Sequence, residues 1–291
     1  MAYPLLRDMK SSAEFDRFEH AAWEGAADAY RRGFAPLTDV LIPQLLNLLR
    51  VERGTRLLDV ACGPGALAAG AAHRGAHPVG LDFAESMLVV ARQLSPLIDF
   101  RSGDALALPF PEGSFDAVAM NLGVLHLSDP ERAFREAYRV LRPGGRYVFT
   151  AWQSPERSRG FEVILASIKE AGDPNVALPA GPPFFKYGEP AVGEAGLRAA
   201  GFTNVRSESH ELTWSLPSKA AFFDTFVHGT ARTGAILRAQ SEAQLQAIRA
   251  AVDRRLDPWQ HVGGLEIPMG VVVYSGVRPA ATSEKLVGLN P

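Results

Sequence analysis

The stretch Leu57-Leu58-Asp59-Val60-Ala61-Cys62-Gly63-Pro64-Gly65-Ala66 limits what this chain can fold into more than any other. Leu57, Leu58 and Val60 are branched apolar residues suited to a buried parallel strand. Gly63 and Gly65 lack a Cβ, so the backbone can turn sharply and a ligand can approach it closely. An alanine-rich helix begins at Ala66. Strand, glycine turn and helix together aim the first N–H groups of the helix at a nucleotide-like molecule. The chain is therefore read as α/β, a doubly wound, Rossmann-like and mostly parallel sheet.

Three acids refine the reading. The segment Gly63 to Ala68 also fits the looser dinucleotide pattern in which the third glycine becomes alanine. Asp59, however, sits in the strand end four residues before Gly63, where a carboxylate can serve an ammonium or order the turn. A dinucleotide-binding strand normally carries no acid there. Asp82 ends the next strand, nineteen residues after Gly63, at the point where an acid can accept both hydroxyls of a ribose. Asp104 follows a third strand. It either accepts the exocyclic amine of adenine, with Ala105 donating a backbone N–H, or caps its own turn. The set points to an adenosine-containing cofactor.

Along the chain, Phe15, Phe18, Ala22, Trp23 and Ala26 recur at helical spacing, as do Leu37, Val40, Leu41, Leu45 and Leu48. Residues 1–52 are read as a helical cap. Within it Trp23 and Tyr30 either cover the cofactor or are core aromatics. Residues 53–217 and 264–279 form the sheet core, with strands at 56–61, 78–82, 98–102, 115–120, 146–151, 202–216 and 265–277. Met87, early in the helix after Asp82, either packs on an adenine or is plain core. Residues 218–263 read as a helical insertion before the last strand, a lid beside the crevice, and 280–291 as a disordered tail.

Composition excludes several classes. A net charge of −2 favours neither nucleic acid nor an anionic membrane. No run is long enough to span a bilayer, and the single cysteine, Cys62, allows no internal disulfide. No His/Cys/Asp cluster has ligand spacing, so no metal is expected. The default is a cytoplasmic protein acting on a small molecule, with a homodimer as the candidate assembly.

The ordered motifs Asp59-Val60-Ala61-Cys62-Gly63-Pro64-Gly65, Asp82, Gly103-Asp104-Ala105, Phe115-Asp116-Ala117-Val118 and Val140-Leu141-Arg142-Pro143-Gly144-Gly145 resemble those of class I S-adenosylmethionine-dependent methyltransferases. Within that class the chain resembles the small-molecule type related to ubiquinone/menaquinone-biosynthesis methyltransferases. The resemblance covers about 54–152. It implies a seven-stranded sheet with one antiparallel strand, and S-adenosylmethionine as cofactor with S-adenosylhomocysteine as product. It also implies that Ala61, Gly63 and Gly65 contact the methionine portion through the backbone. Asp82 would hold the ribose, Asp104 and Ala105 the adenine, and Asn121 would sit beside the sulfonium through its carbonyl.

His126, just after the fourth strand, is the candidate general base. Trp23, Trp152, Phe185, Tyr187, Phe226 and His228 are the substrate-side candidates, and Phe222, Phe223 and Phe226 on the insertion favour an apolar or aromatic acceptor unless they bury its own core. Three alternatives stand beside methyl transfer. One is an NADP-dependent oxidoreductase, which would need a Tyr-x-x-x-Lys set that is absent from the sequence. The others are a binding module without chemistry and a cofactor-bound enzyme of another reaction, such as cyclisation.

Overall fold

The computed structural model describes residues 4–280. Four helices lead: α1 (Pro4–Glu24), α2 (Ala27–Gly33), α3 (Ala35–Thr38) and α4 (Ile42–Leu48). The core follows as β1 (Arg56–Val60), α5 (Ala66–His73), β2 (His77–Asp82), α6 (Glu85–Leu94), β3 (Asp99–Ser102), β4 (Phe115–Met120), α7 (Pro130–Val140) and β5 (Leu141–Trp152). Then come α8 (Arg159–Ala171), α9 (Pro190–Ala199), β6 (Thr203–Leu216), α10 (Lys219–Gly229), α11 (Arg232–Arg238), α12 (Glu242–Leu256), β7 (Gln260–His261) and β8 (Gly264–Val277). The tail expected at 280–291 lies almost wholly outside the described residues.

The sheet order is β3-β2-β1-β4-β5-β8-β6, with β7 paired to β8. β1 to β5 pair in parallel, and β8 runs antiparallel to both β5 and β6. The expected single antiparallel strand is thus β8, and the two-residue β7 is an addition. Side chains alternate across the sheet. Leu57, Ala117 and Ala119 face the core shared with the cap and the insertion. Leu58, Val60, Val118 and Met120 face the opposite one. Asp59 therefore points to the Leu57 side, beneath α5.

The fifth strand differs from its expected extent. It starts at Leu141, because Arg142-Pro143-Gly144-Gly145 is a bulge inside the strand. Gly144, at φ +80, turns its N–H onto the carbonyl of Arg278 at 2.8 Å, and Arg278 returns its own N–H to Gly145 at 2.9 Å. The end of β8 thereby pins the glycine turn to the sheet.

Two helices of the core start without a capping side chain of their own, and other elements supply one. At α5 the N-cap is Gly65, and the buried Asp59 carboxyl accepts the Ala68 N–H at 3.1 Å. At α6 the N-cap is Ala84, and Glu24 at the end of α1 accepts from the N–H groups of Glu85 and Ser86 at 2.7 and 3.0 Å. Both side chains meet orphan N–H donors, and the Glu24 carboxylate also meets the positive end of the helix dipole. Glu24 thus clips the cap onto the sheet domain. Phe34 anchors the cap from the other end, stacked at 4.6 Å on Trp214. Among the described residues no helix is long and apolar enough to cross a membrane.

Candidate active site

A cleft of about 1320 Å³ opens at the carboxyl ends of β1, β2 and β4, roofed by α1 and α2 and flanked by residues 229–233 of the insertion. Open α/β sheets place their ligands at this edge. One wall is the β1–α5 turn. Ala61, Gly63 and Gly65 adopt φ of +54, +51 and +83. Ala61 is a non-glycine residue held in left-handed backbone, where strain of this kind marks ligand-contacting turns. A second such residue, Leu122 at φ +57, follows Asn121 across the cleft. A Cβ at Gly65 would sit 2.6 Å from the Phe100 ring, so glycine is required there for packing as well as for φ.

Asp82 is 5% exposed at the end of β2. Its Oδ2 accepts the Gly63 N–H at 2.8 Å and its Oδ1 accepts the Ala84 N–H at 2.9 Å. With these bonds made, the carboxyl retains acceptor capacity toward the cleft, which is what a ribose hydroxyl needs. Burial raises its carboxyl against the opposing bonds from Ala84, Gly63 and Phe83. Asp59 is more extreme: burial lifts it to about 8, despite the Ala68 N–H, and the charges of Asp82 and Asp39 add to the rise. Asp39, on the cap and absent from the sequence reading, lines the same cleft and is raised to about 6 by burial. It falls off the apolar helical stripe, so its position reads as solvated. Asp104 reaches the cleft while its Oδ1 also accepts the Leu106 N–H at 2.8 Å, so turn capping and cleft access coexist.

Ala105, Asn121, Tyr30, Trp23, Met87 and Trp152 also line the cleft. The Asn121 side chain is committed elsewhere: it accepts from Thr150 Oγ1 at 2.7 Å and donates to the Thr38 carbonyl at 3.2 Å. Met87 packs with Ala27 and Ala84 against Trp23 and Tyr30, tying α6 to the cap. The Tyr30 hydroxyl, lifted to about 12 by burial, lies 3.3 Å from Thr38 Oγ1. Cys62, beside the turn, packs with Phe100, Ala68 and Leu88, and burial pushes its thiol up.

His126 lies in a short 3-10 turn after β4, edge-on to Trp23 at 4.8 Å. Its Nδ1 is 2.9 Å from Glu19 Oε2. Glu19, 1% exposed, also accepts from Trp23 Nε1 at 3.2 Å and from Arg232 Nε at 2.9 Å. Sequence reasoning missed Glu19, although a signal existed. It stands midway between Phe15 and Trp23 at i, i+4 spacing, an acid on an apolar stripe.

Four substrate-side expectations are corrected. Phe185 is turned away from the cleft, and its neighbour Phe184 lines it instead. Tyr187 lies on the other face of the sheet, packed on Phe134 and bonded to Glu131 at 2.9 Å. Phe226 is fully buried between Phe34, Phe161 and Trp214, and with Phe222 and Phe223 it forms the seam between insertion and core. His228 projects outward from α10 into solvent. The aromatic wall of the cleft is instead Phe34, Trp152, Phe161 and Phe184. Among the described residues no group of three or more His, Cys, Asp or Glu side chains is placed to hold a metal.

Fold and cleft define a Rossmann-like α/β domain in which β8, next to the β6 edge, runs against its neighbours. Residues 58–149 match the family model described as "Methyltransferase domain". A demethylmenaquinone methyltransferase of Thermus thermophilus is 45% identical over 108 residues, covering 35% of this chain and 49% of that protein. One of Renibacterium salmoninarum is 43% identical over 102 residues, covering 35% of this chain and 43% of the relative. The chain thus spans less than half the length of these relatives. Among solved structures, the YcgJ protein from Bacillus subtilis superposes with a TM-score of 0.54 at 19% identity, over 82% of this chain and 98% of that one. The [4+2]-cyclase SpnF gives 0.51 at 23% identity, over 84% and 82%. These two likenesses concern the fold alone.

Proposed function

We propose that this protein transfers a methyl group from S-adenosylmethionine to a small acceptor of apolar or aromatic character. The observation that carries this reading is the convergence of the left-handed Ala61–Gly65 turn with Asp59, Asp82 and Asp104 on one cleft, opposite the wall of Phe34, Trp152, Phe161 and Phe184. The polar half suits an adenosyl amino acid, and the aromatic half suits the acceptor. The remaining acceptor capacity of Asp82 fits ribose hydroxyls, and the neutral, buried Asp59 carboxyl is poised to ionise against an ammonium. Asp104 and Ala105 would take the adenine edge. The name of the relatives, demethylmenaquinone methyltransferase, supports an acceptor of the same apolar kind.

S-adenosylmethionine supplies a methyl carbon already activated by a sulfonium. The chain's own residues supply position and dryness. Cap and insertion residues line the cleft and would exclude water and hold an acceptor against the methyl group, and alignment of this kind can contribute up to about 7–11 kcal/mol. His126, which lines the cleft edge-on to Trp23, would serve as general base for an acceptor O–H or N–H.

Calorimetric titration with S-adenosylmethionine, S-adenosylhomocysteine and NADP in parallel tests the assignment. Micromolar binding of both sulfur compounds with none of NADP is the expected result, followed by transfer of labelled methyl to an aromatic acceptor. Binding of NADP alone refutes it. Binding of the sulfur compounds with no methyl released to any acceptor assigns the cleft to a reaction that does not consume the cofactor.

A further inference from the structure

Glu19, His126 and Arg232 belong to three separate parts of the molecule: the cap helix α1, the turn after β4 and the insertion helix α11. They meet at one carboxylate. Glu19 Oε1 is held by Arg232 Nε at 2.9 Å, and Oε2 is shared by His126 Nδ1 at 2.9 Å and Trp23 Nε1 at 3.2 Å. Arg232 is itself clamped. It donates to the carbonyls of Pro182 at 2.9 Å and Leu125 at 3.3 Å, and its guanidinium lies 4.4 Å over the Phe15 ring. Burial raises the Glu19 carboxyl, but its interactions with His126 and Arg232 outweigh it and hold Glu19 below the usual range. Glu19 is ionised, and an ionised carboxylate only accepts. The histidine nitrogen that faces it must carry the proton.

We propose that Glu19 is the positioning residue for His126: it fixes the ring as the Nδ1–H tautomer and leaves the Nε2 lone pair to the cleft. Nε2 has no hydrogen-bond partner among the described residues, and the His126 side chain is 16% exposed. This proposal rests on the methyl-transfer reading for its chemistry, though not for its geometry. In the reaction the acceptor's proton passes to Nε2. The pair that held that proton stays on the acceptor atom, which bonds to the methyl carbon while the carbon's former bonding pair remains on sulfur. The ring becomes a cation, and Glu19 stabilises it across the existing Nδ1–H bond. Orienting carboxylates of this kind set both tautomer and direction of a catalytic imidazole. Arg232 completes the arrangement by keeping Glu19 ionised, so the base is assembled only when the insertion is docked on the cap.

Glu19→Gln reverses the logic with little change of shape. Arg232, clamped by its other contacts, can only donate, so the amide oxygen turns to Arg232 and the amide N–H groups turn to His126 Nδ1, giving up the longer bond from Trp23 Nε1. The ring then carries its proton on Nε2, where a base must be bare. The test is nitrogen NMR of the histidine rings in the full chain at pH 8, free and with S-adenosylhomocysteine added, with the His126 signals assigned by their loss in His126→Gln. The expected wild-type spectrum shows a protonated Nδ1 and an unprotonated Nε2, exchanged in E19Q. An Nε2–H ring in the wild type, or a tautomer untouched by E19Q, overturns the proposal. The wild-type spectrum decides even where E19Q fails to fold. With an acceptor in hand, E19Q lowers kcat by about 10²-fold or more at unchanged KM for the cofactor. In a His126→Ala background the same change costs less than about twofold, because its route of action is gone. A full loss in that background overturns the proposal as well. If S-adenosylhomocysteine does not bind while the tautomer is as expected, methyl transfer falls and the role of Glu19 stands. If it binds and the tautomer is reversed, the outcome is the opposite.

Discussion

Replacing Asp59 with asparagine separates the charge of this buried group from its hydrogen bond. The amide keeps an oxygen for the Ala68 N–H, which Asp59 accepts at 3.1 Å, and cannot ionise. Burial lifts the wild-type carboxyl from its ordinary 3.8 to about 8. The folded chain therefore binds a proton that the unfolded chain releases near pH 4. For this group stability is fully present below about pH 4 and declines as pH rises, levelling off above about 8. The slope is ~1.4 kcal/mol per pH unit. Between pH 6 and pH 8 the wild type should lose about 2 kcal/mol that Asp59→Asn does not lose. Asp82 is raised by the same burial and contributes in the same sense, so the difference between variant and wild type is the informative quantity. Urea unfolding followed by circular dichroism at pH 6, 7 and 8 reads it, with the midpoint converted through a shared m-value. A difference in stability that stays flat over this range refutes the reasoning, because Asp59 would then be ionised throughout. The same proton should appear in ligand binding. An ammonium beside Asp59 returns it to the ionised form, so S-adenosylhomocysteine should expel close to one proton at pH 7, measurable in buffers of different ionisation enthalpy.

Other perturbations probe the cap, the turn and the aromatic wall. Glu24→Ala removes the cap from α6 and should cost about 1 kcal/mol, with faster amide exchange at Glu85 and Ser86. Gly65→Ala forces a side chain into left-handed backbone with its Cβ 2.6 Å from the Phe100 ring, and should lower stability by ~1–3 kcal/mol in thermal unfolding. Phe184→Ala, on the cleft wall, should raise the acceptor KM while leaving calorimetric affinity for S-adenosylhomocysteine unchanged. Tyr187→Phe, on the far face of the sheet, should move neither quantity.

The elements that carry the cofactor half are legible because each is a local pattern. Branched apolar runs end in an acid or a glycine turn, and the spacing from Gly63 to Asp82 counts one strand–helix–strand unit. The bulge at Arg142–Gly145 reads as a turn before the fifth strand, since proline and glycines mark a break whether or not the flanking residues pair. The aromatics of the insertion and of the loop before α9 carry no such information. Phe226 and Phe184 each have another phenylalanine close by in sequence, yet one is sealed against Trp214 and the other faces the cleft. For Phe226 this depends on where α10 packs, and for Phe184 on the loop before α9 lying against Phe161 and His126.

Sequence by itself determined the doubly wound sheet, the glycine turn and the placement of three acids at strand ends, because side-chain period and glycine chemistry act within a few residues. Only the tertiary structure decided which aromatic residues face the acceptor and that Asp39 joins the cleft. It alone brought Glu19 against a histidine 107 residues away and an arginine 213 residues away. Such contacts follow from how cap, sheet and insertion close on one another. Burial, and with it the raised carboxyl of Asp59 and the lowered one of Glu19, exists only after they have closed.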